Sequence, residues 1–213
     1  MIEYKNVSVQ YHEKYILRDI SIRIEKNQKV VIASKSGTGK TTLFYLLLGF
    51  ARQDSGEVFF DGTELNEKSV WRVRKKVAYV SQDLSIGHGV VGDLISQYLM
   101  YHANTRLSVS YDDIRSKLVL FELDSNVLKK NVNDLSGGEK QRLAIVIACL
   151  LNRDVYLLDE VTSFLDRDLK NKVSDYFLNL KDKTVVVISH DNVWLRDGHP
   201  DRRIYDLDTK GWR

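Results

Sequence analysis

The sequence predicts an α/β fold with a mostly parallel core sheet, an N-terminal antiparallel β subdomain and an inserted α-helical subdomain. Three observations carry this reading. Lys29-Val30-Val31-Ile32-Ala33 is continuously apolar after its first residue, as in a strand buried on both faces of a parallel sheet. Val155 to Leu158 and Val185 to Ile188 are further buried runs, separated by a helical stretch from Arg167 to Leu180. Ile20-Ser21-Ile22-Arg23-Ile24 instead alternates strictly, the pattern of a half-buried antiparallel strand. Buried strands alternating with helices build a largely parallel sheet.

The remaining elements follow in chain order. Ile2 to Val9 alternates in part, as a strand would. The apolar run ending at Ala33 enters a Ser/Gly/Thr-rich loop and then an apolar helix, Thr41 to Phe50, which opens a βαβ unit. Glu57-Val58-Phe59-Phe60 precedes an Asp61-Gly62 turn, and Val77-Ala78-Tyr79-Val80 is a short strand. Residues from about 83 to 134 are amphipathic and helical with little β-branched continuity, and Gly87, Gly89 and Gly92 loosen their entry. A further helix runs from after Gly138 to about Asn152. The division is therefore 1–82 and 135–213 for the core with its antiparallel β subdomain, and about 83–134 for the helical subdomain.

Composition narrows the function classes. The 213 residues suit one domain with a sizeable core, and 43% hydrophobic residues exclude wholesale disorder. The longest apolar run, Leu143 to Leu151, is half what a membrane span needs, and Met1 to Lys5 has no apolar leader segment. One cysteine makes no internal disulfide and no zinc cluster, so a reducing, cytoplasmic setting is expected. The single proline, Pro200, excludes proline-rich linkers. A net charge of +3 makes no field that demands nucleic acid, and the basic runs Arg72–Lys76 and Lys129-Lys130 read as solvated faces.

Ser34-Lys35-Ser36-Gly37-Thr38-Gly39-Lys40-Thr41 fits the phosphate-loop pattern G-x-x-x-x-G-K-[ST] at every fixed position except the first. Such a loop, between a buried strand and a helix, marks the core as a P-loop NTPase. Gly37 and Gly39 let the backbone wrap an anion, Lys40 reaches the β- and γ-phosphates, and the Thr41 hydroxyl suits Mg²⁺. Thr42 continues the run into the helix, whose N-terminus favours anions. Ser34 replaces the first glycine and would carry strain if its φ were positive.

Val155 to Leu158 ends in Asp159-Glu160, at the strand end where ligands of open α/β sheets gather. Asp159 there could hold Mg²⁺ opposite Thr41, and Glu160 could orient or deprotonate a water for attack on the γ-phosphate. Alone, two acids that begin a loop mean little; beside a phosphate loop they gain weight. Leu135-Ser136-Gly137-Gly138-Glu139-Lys140-Gln141-Arg142 opens another helix. Ser136 and Glu139 stand at capping-box spacing. Two glycines in a first turn cost about 1 kcal/mol each relative to Ala, more than a mere cap requires. They make sense if the Ser136-Gly137-Gly138 amides approach an anion.

That octet, placed between the phosphate loop and the Asp159-Glu160 strand, resembles the signature motif of ATP-binding cassette (ABC) ATPases, and the likeness extends over nearly the whole chain. The resemblance implies further roles. Tyr11 would stack on adenine. Gln82, after Tyr79-Val80-Ser81, would contact Mg²⁺ and couple the site to a transmembrane partner. Asp166 would lie across a dimer, and His190, after the Thr184–Ser189 strand, would sense the γ-phosphate. Two copies would pair head to tail in an ATP-dependent homodimer, with Glu160, His190, Gln82 and Lys40 catalytic. The chain departs from the family pattern at Ser34, Lys35, Val161 and Phe164, none of which removes a phosphate, metal or water ligand.

The expected activity is Mg²⁺-dependent ATP hydrolysis driving a separate integral membrane permease. The chain would then lie at the cytoplasmic face of the membrane, with no nucleic acid partner. Its size and the Asn133-to-Arg142 run resemble compact stand-alone export-type subunits, including metal-efflux ones. The alternative is a non-transport ABC ATPase of translation or DNA maintenance. Those carry tandem cassettes or long coiled-coil insertions, and this chain has neither. A non-enzymatic nucleotide switch would be expected to lack Glu160 or His190.

Overall fold

The computed structural model describes residues 1–35, 37–196, 199 and 202–213. Ser36 and Pro200, both singled out above, lie outside the described residues. The chain builds two sheets. In the first, β1 (Ile2–Tyr11) lies between β2 (Lys14–Ile24) and β4 (Ser55–Phe60), with β5 (Thr63–Glu64) beyond β4, and every pair is antiparallel. Leu17, Ile20, Ile22 and Ile24 of β2 are buried, so the predicted alternation places one face inward.

The second sheet has the order β10-β9-β3-β8-β7-β6. Its strands are β3 (Lys29–Ala33), β6 (Val77–Val80), β7 (Val155–Asp159), β8 (Thr184–Ile188), β9 (Arg202–Asp206) and β10 (Gly211–Trp212). All its pairs are parallel except the β9–β10 edge. Alternate residues of each central strand feed opposite cores. Val31, Tyr156, Leu158, Val185 and Val187 pack on one side with α5 (Gly137–Leu151) and α6 (Arg167–Leu178). Val30, Ile32, Leu157, Val186 and Ile188 pack on the other, with α1 (Lys40–Leu48) and the antiparallel sheet. Burial on both faces is why these strands read as continuous apolar runs.

Residues 83–134 hold α3 (Val91–Met100), α4 (Tyr111–Leu120) and three short 3-10 turns. Their apolar residues Leu94, Ile95, Leu118 and Phe121 join the same core cluster as Leu143 and Val146 of α5. This segment is fastened to the core helix by continuous packing.

Three expectations need correction. Arg72–Lys76 is more than a solvated face, because it lies in a helix, α2 (Val70–Lys76). Arg74 donates to Leu48 O at 2.8 Å and sits over the Phe50 and Trp71 rings, while Lys76 pairs with Asp61 at 2.8 Å. Lys129 and Lys130 are both exposed, as a solvated face predicts, and Lys130 also pairs with Glu139 at 3.0 Å. Ser34 is not at positive φ, so the serine in place of glycine stores no backbone strain there. The β9–β10 hairpin was not expected, since Arg202-Arg203 interrupts the apolar pattern of β9, which lies between β3 and the edge strand β10.

Candidate functional site

The parallel strands β3, β8, β7 and β6 end at one edge of the sheet, so the segments that follow them meet there. After β3 the chain turns through Gly37 and Gly39 into α1. Gly39 has φ +84, and a Cβ there would come within 2.7 Å of Ile16 and 2.9 Å of Leu17, so glycine is required. A cleft of about 560 Å³ is lined by Gly37, Thr38, Gly39, Lys40, Thr41 and Thr42 from β3–α1. Gln82 after β6, Asp159, Glu160 and Ser163 after β7, and His190 after β8 complete it, with Ile16 and Ile188 as its apolar wall. A larger concavity of 760 Å³ lies on the antiparallel sheet around Lys5, Arg18 and Asp19, but no strand end or glycine loop delivers chemistry to it.

Lys40 is only 7% exposed, and its Nζ donates to Ser34 O at 3.1 Å and Lys35 O at 2.8 Å, with His190 Nε2 at 3.0 Å. Burial lowers the affinity of this ammonium for its proton, while the carboxylates of Glu160, Asp159 and Asp208 pull the other way. Among the described residues no carboxylate ion-pairs with it within 4 Å, so its charge is held by neutral acceptors. Ser34 Oγ and Thr38 Oγ1 share a short hydrogen bond, and Thr38 Oγ1 donates to Lys35 O at 2.9 Å.

Asp159 is 1% exposed, and its Oδ1 has no hydrogen-bond partner. Tyr79 OH reaches Oδ2 at 3.5 Å. Burial raises the Asp159 pKa, and the Thr41 and Tyr79 hydroxyls and Lys40 act against that rise. An orphaned buried carboxylate oxygen beside a threonine hydroxyl suits a hard divalent cation that completes its shell with phosphate oxygens. Among the described residues no group of three His, Cys, Asp or Glu side chains could hold a metal alone. Glu160 stands at φ +49, a strained conformation for a non-glycine residue, held by its N–H donating to Ile188 O at 2.9 Å. Its Oε1 lies 3.5 Å from His190 Nε2. Burial raises its pKa, opposed by His190 and Lys40.

Some singled-out residues lie elsewhere. Tyr11 is 67% exposed at the end of β1, edge-on to His12, and does not line the cleft. Ser34 and Lys35 back the loop from behind. Ser136, Gly137 and Gly138 begin α5 outside the cleft. There Ser136 Oγ accepts from Glu139 N at 3.2 Å and Glu139 Oε2 accepts from Ser136 N at 2.9 Å, a reciprocal capping box. That backbone bond, aided by Lys130, pulls the Glu139 carboxyl down to about 2. Asp166 caps α6, accepting from Leu169 N at 2.9 Å.

Sequence reasoning missed Asp191. Its carboxylate takes a short hydrogen bond from the buried Thr162 hydroxyl and pairs with Lys170 at 2.8 Å, tying the loop after Glu160 to the loop of His190. Its position directly after His190 was the available signal. Tyr79 and Ser163 were also missed, and neither is distinguishable locally from a core tyrosine or a loop serine.

Comparison with known proteins places this arrangement. Residues 17–163 match the family model described as ABC transporter. The chain is 31% identical over 201 residues to the energy-coupling factor transporter ATP-binding protein of Mycoplasmopsis synoviae (strain 53), covering 90% of this chain and 74% of that protein. It is 32% identical over 197 residues to the lactococcin-G-processing and transport ATP-binding protein of Lactococcus lactis subsp. lactis, covering 89% of this chain and 28% of that longer protein. Among solved structures, it is similar to a dimeric bacterial ABC transporter cassette, with TM-score 0.84 and 28% identity over 97% of this chain and 94% of the other. The same cassette in a post-hydrolysis dimer bound to ADP and Pi gives TM-score 0.82 and 27% identity, with the same coverage of both chains.

Proposed function

This chain belongs to the ABC transporter family as an ATP-binding subunit that hydrolyses ATP, and we propose that Mg²⁺-ATP is bound and cleaved in the cleft around Lys40 to drive a separate integral membrane permease. The observation that carries the site assignment is the Lys40 ammonium, buried and held only by neutral acceptors. A phosphate oxygen entering the loop meets an ammonium that no carboxylate pairs directly among the described residues, with Glu160, Asp159 and Asp208 acting on it from farther away.

In this reading Lys40 and the amides of Gly37 to Thr42 hold the β- and γ-phosphates, and Tyr11 stacks on the adenine. The Thr41 hydroxyl, Asp159 and Gln82 would hold Mg²⁺. The ion bound there supplies positive charge to the phosphate oxygens as negative charge develops on them. The Glu160 carboxylate accepts a proton from a water as that water's oxygen bonds to the γ-phosphorus. The bond from that phosphorus to the ADP oxygen breaks, releasing ADP and inorganic phosphate. His190 and Gln82 flank the transferring group.

Ser136, Gly137 and Gly138 do not line their own cleft, so they act in this scheme on ATP held by the second copy of a head-to-tail homodimer. Closing the pair on ATP and reopening it after cleavage would move the permease. No helix among the described residues is long and apolar enough to cross a membrane; the proposed permease is a separate polypeptide, with the ATPase bound at its cytoplasmic face.

Three measurements test the reading. ATP hydrolysis by the purified chain should be abolished by EDTA and restored by Mg²⁺. Lys40→Ala should weaken nucleotide binding more than about tenfold, the loss of a charge-assisted phosphate contact. Affinity purification from native membranes should recover an integral membrane protein. Recovery of ribosomes or DNA in its place would overturn the transporter assignment.

A further inference from the structure

The C-terminal hairpin reaches the phosphate loop. β9 runs parallel to β3, with Ala33 opposite Asp206 and Leu207 N donating to Ala33 O at 2.9 Å. Both chains therefore leave the sheet side by side, one into the phosphate loop and the other into the turn before β10. In that turn Asp206, 6% exposed and paired with Arg213, accepts from the N–H groups of Asp208 and Thr209, each at 3.0 Å. The turn is thus held from within, and it presents the Asp208 carboxylate to the loop. Asp208 Oδ2 accepts from Lys35 N at 3.1 Å.

The Lys35 peptide is the hub of the loop. Its carbonyl accepts from Lys40 Nζ at 2.8 Å and from Thr38 Oγ1 at 2.9 Å, leaving the Ser34 hydroxyl to donate to Thr38 Oγ1. Because the peptide joining Ser34 to Lys35 is planar, fixing its N–H through Asp208 also fixes the direction of the carbonyl in the same group, Ser34 O, which accepts from Lys40 Nζ at 3.1 Å. Resting on the assignment of this cleft to ATP, we propose that Asp208 is a positioning residue for the phosphate loop, holding the Lys35 peptide so that the loop is preformed before nucleotide arrives. The contact needs a donor at the loop's second position. A proline there would have none, whereas Lys35 supplies one. Asp208 also adds negative charge near Lys40, so the same carboxylate that orders the loop opposes the incoming phosphates.

The test uses Asp208→Ala, Asp208→Asn and Lys35→Pro in the full chain, read by two methods. The first is amide hydrogen exchange of the nucleotide-free protein across 34–38. Asp208→Ala should speed exchange of the Lys35 amide, and Asp208→Asn, which keeps an acceptor, should not. The second is equilibrium binding of a fluorescent ADP. Asp208→Ala should weaken it about three- to tenfold, the scale of one lost hydrogen bond. Asp208→Asn should bind as tightly as the unaltered chain or more so. Adding Asp208→Ala to Lys35→Pro should cause no further loss, since the pair has then already been broken. Unchanged exchange in Asp208→Ala, or fully additive losses in the double variant, would overturn the proposal. An unaltered chain that binds no ADP would instead count against the assignment of the cleft, while the exchange result still decides the role of Asp208.

Discussion

Lys40 and His190 meet beneath the phosphate loop, with Nζ of one 3.0 Å from Nε2 of the other. An ammonium can only donate, so the ring nitrogen accepts and the ring proton sits on Nδ1. Glu160 Oε1, 3.5 Å from the same nitrogen, then receives nothing from it. A phosphate that draws Lys40 away releases Nε2 to face the γ-phosphate. His190→Ala should therefore lower kcat about 100-fold, the usual scale of a positioned proton-transfer or hydrogen-bonding group. Nucleotide affinity should stay within a few-fold, because Lys40 keeps its two carbonyl partners. A parallel loss of affinity in equilibrium binding would show that His190 serves the loop's shape and not the chemistry.

Glu160→Gln keeps the size of the side chain and removes the proton acceptor. Turnover should fall by at least about 100-fold, while ATP still binds and the dimer accumulates, visible by size-exclusion chromatography with ATP and Mg²⁺. Burial raises the Glu160 pKa above its ordinary 4.5, and the working form is the carboxylate. The rate should therefore decline as pH falls toward that raised value, with its acid midpoint above 4.5. An acid midpoint at or below 4.5 in the kcat profile would contradict the assignment.

The parts of this site that can be read from sequence lie directly after strands that are buried on both faces. Asp159 ends β7 and Glu160 follows it, and His190 comes two residues after β8; both strands are buried throughout, so an apolar run that turns polar marks each position. The loop from Gly37 to Thr41 is local in sequence, and glycine spacing records its curvature. What was not legible depends on distant contacts. β9 contributes only Ile204 and Tyr205 as apolar residues, because it borders the short antiparallel edge strand, and no period-2 pattern survives. Asp208 meets Lys35 across 173 positions, and nothing near either residue signals the other. The basic residues of α2 hide a helix for the same reason: Arg74 is stabilised by Phe50 and Leu48, which belong to a different segment.

Asp159 should make the fold less stable in the absence of Mg²⁺. Its buried Oδ1 has no partner, and an unsatisfied buried acceptor costs about 1–3 kcal/mol, more when charged. Asp159→Asn should raise the urea midpoint of the Mg²⁺-free protein at neutral pH. The sign follows from linkage. A carboxyl whose folded pKa lies above its unfolded 3.8 stabilises the fold only while protonated, so that stability is lost as pH rises through the raised value. The advantage of the variant should therefore grow across that interval and vanish near pH 3.8. The same variant should lose Mg²⁺-dependent hydrolysis. Equal urea midpoints at neutral and acid pH would mean that the carboxylate is compensated within the fold.

Ser136 does not line its own cleft, and that makes a prediction about pairs of chains. Ser136→Ala removes an N-cap and should cost about 1 kcal/mol of stability, and it should also stop hydrolysis at the site of the opposite copy. Lys40→Ala should stop hydrolysis in its own cleft. In a head-to-tail pair made of one chain of each kind, one cleft combines an intact Lys40 with an intact Ser136, and the other combines both defects. Equal mixing yields mixed pairs half of the time, so the mixture should recover about a quarter of the unaltered activity per chain if sites act independently. Either variant alone should remain inactive. Activity no greater than the sum of the separate variants, with mixed pairs shown to form, would place Ser136 and Lys40 in the same chain's site and remove the head-to-tail arrangement.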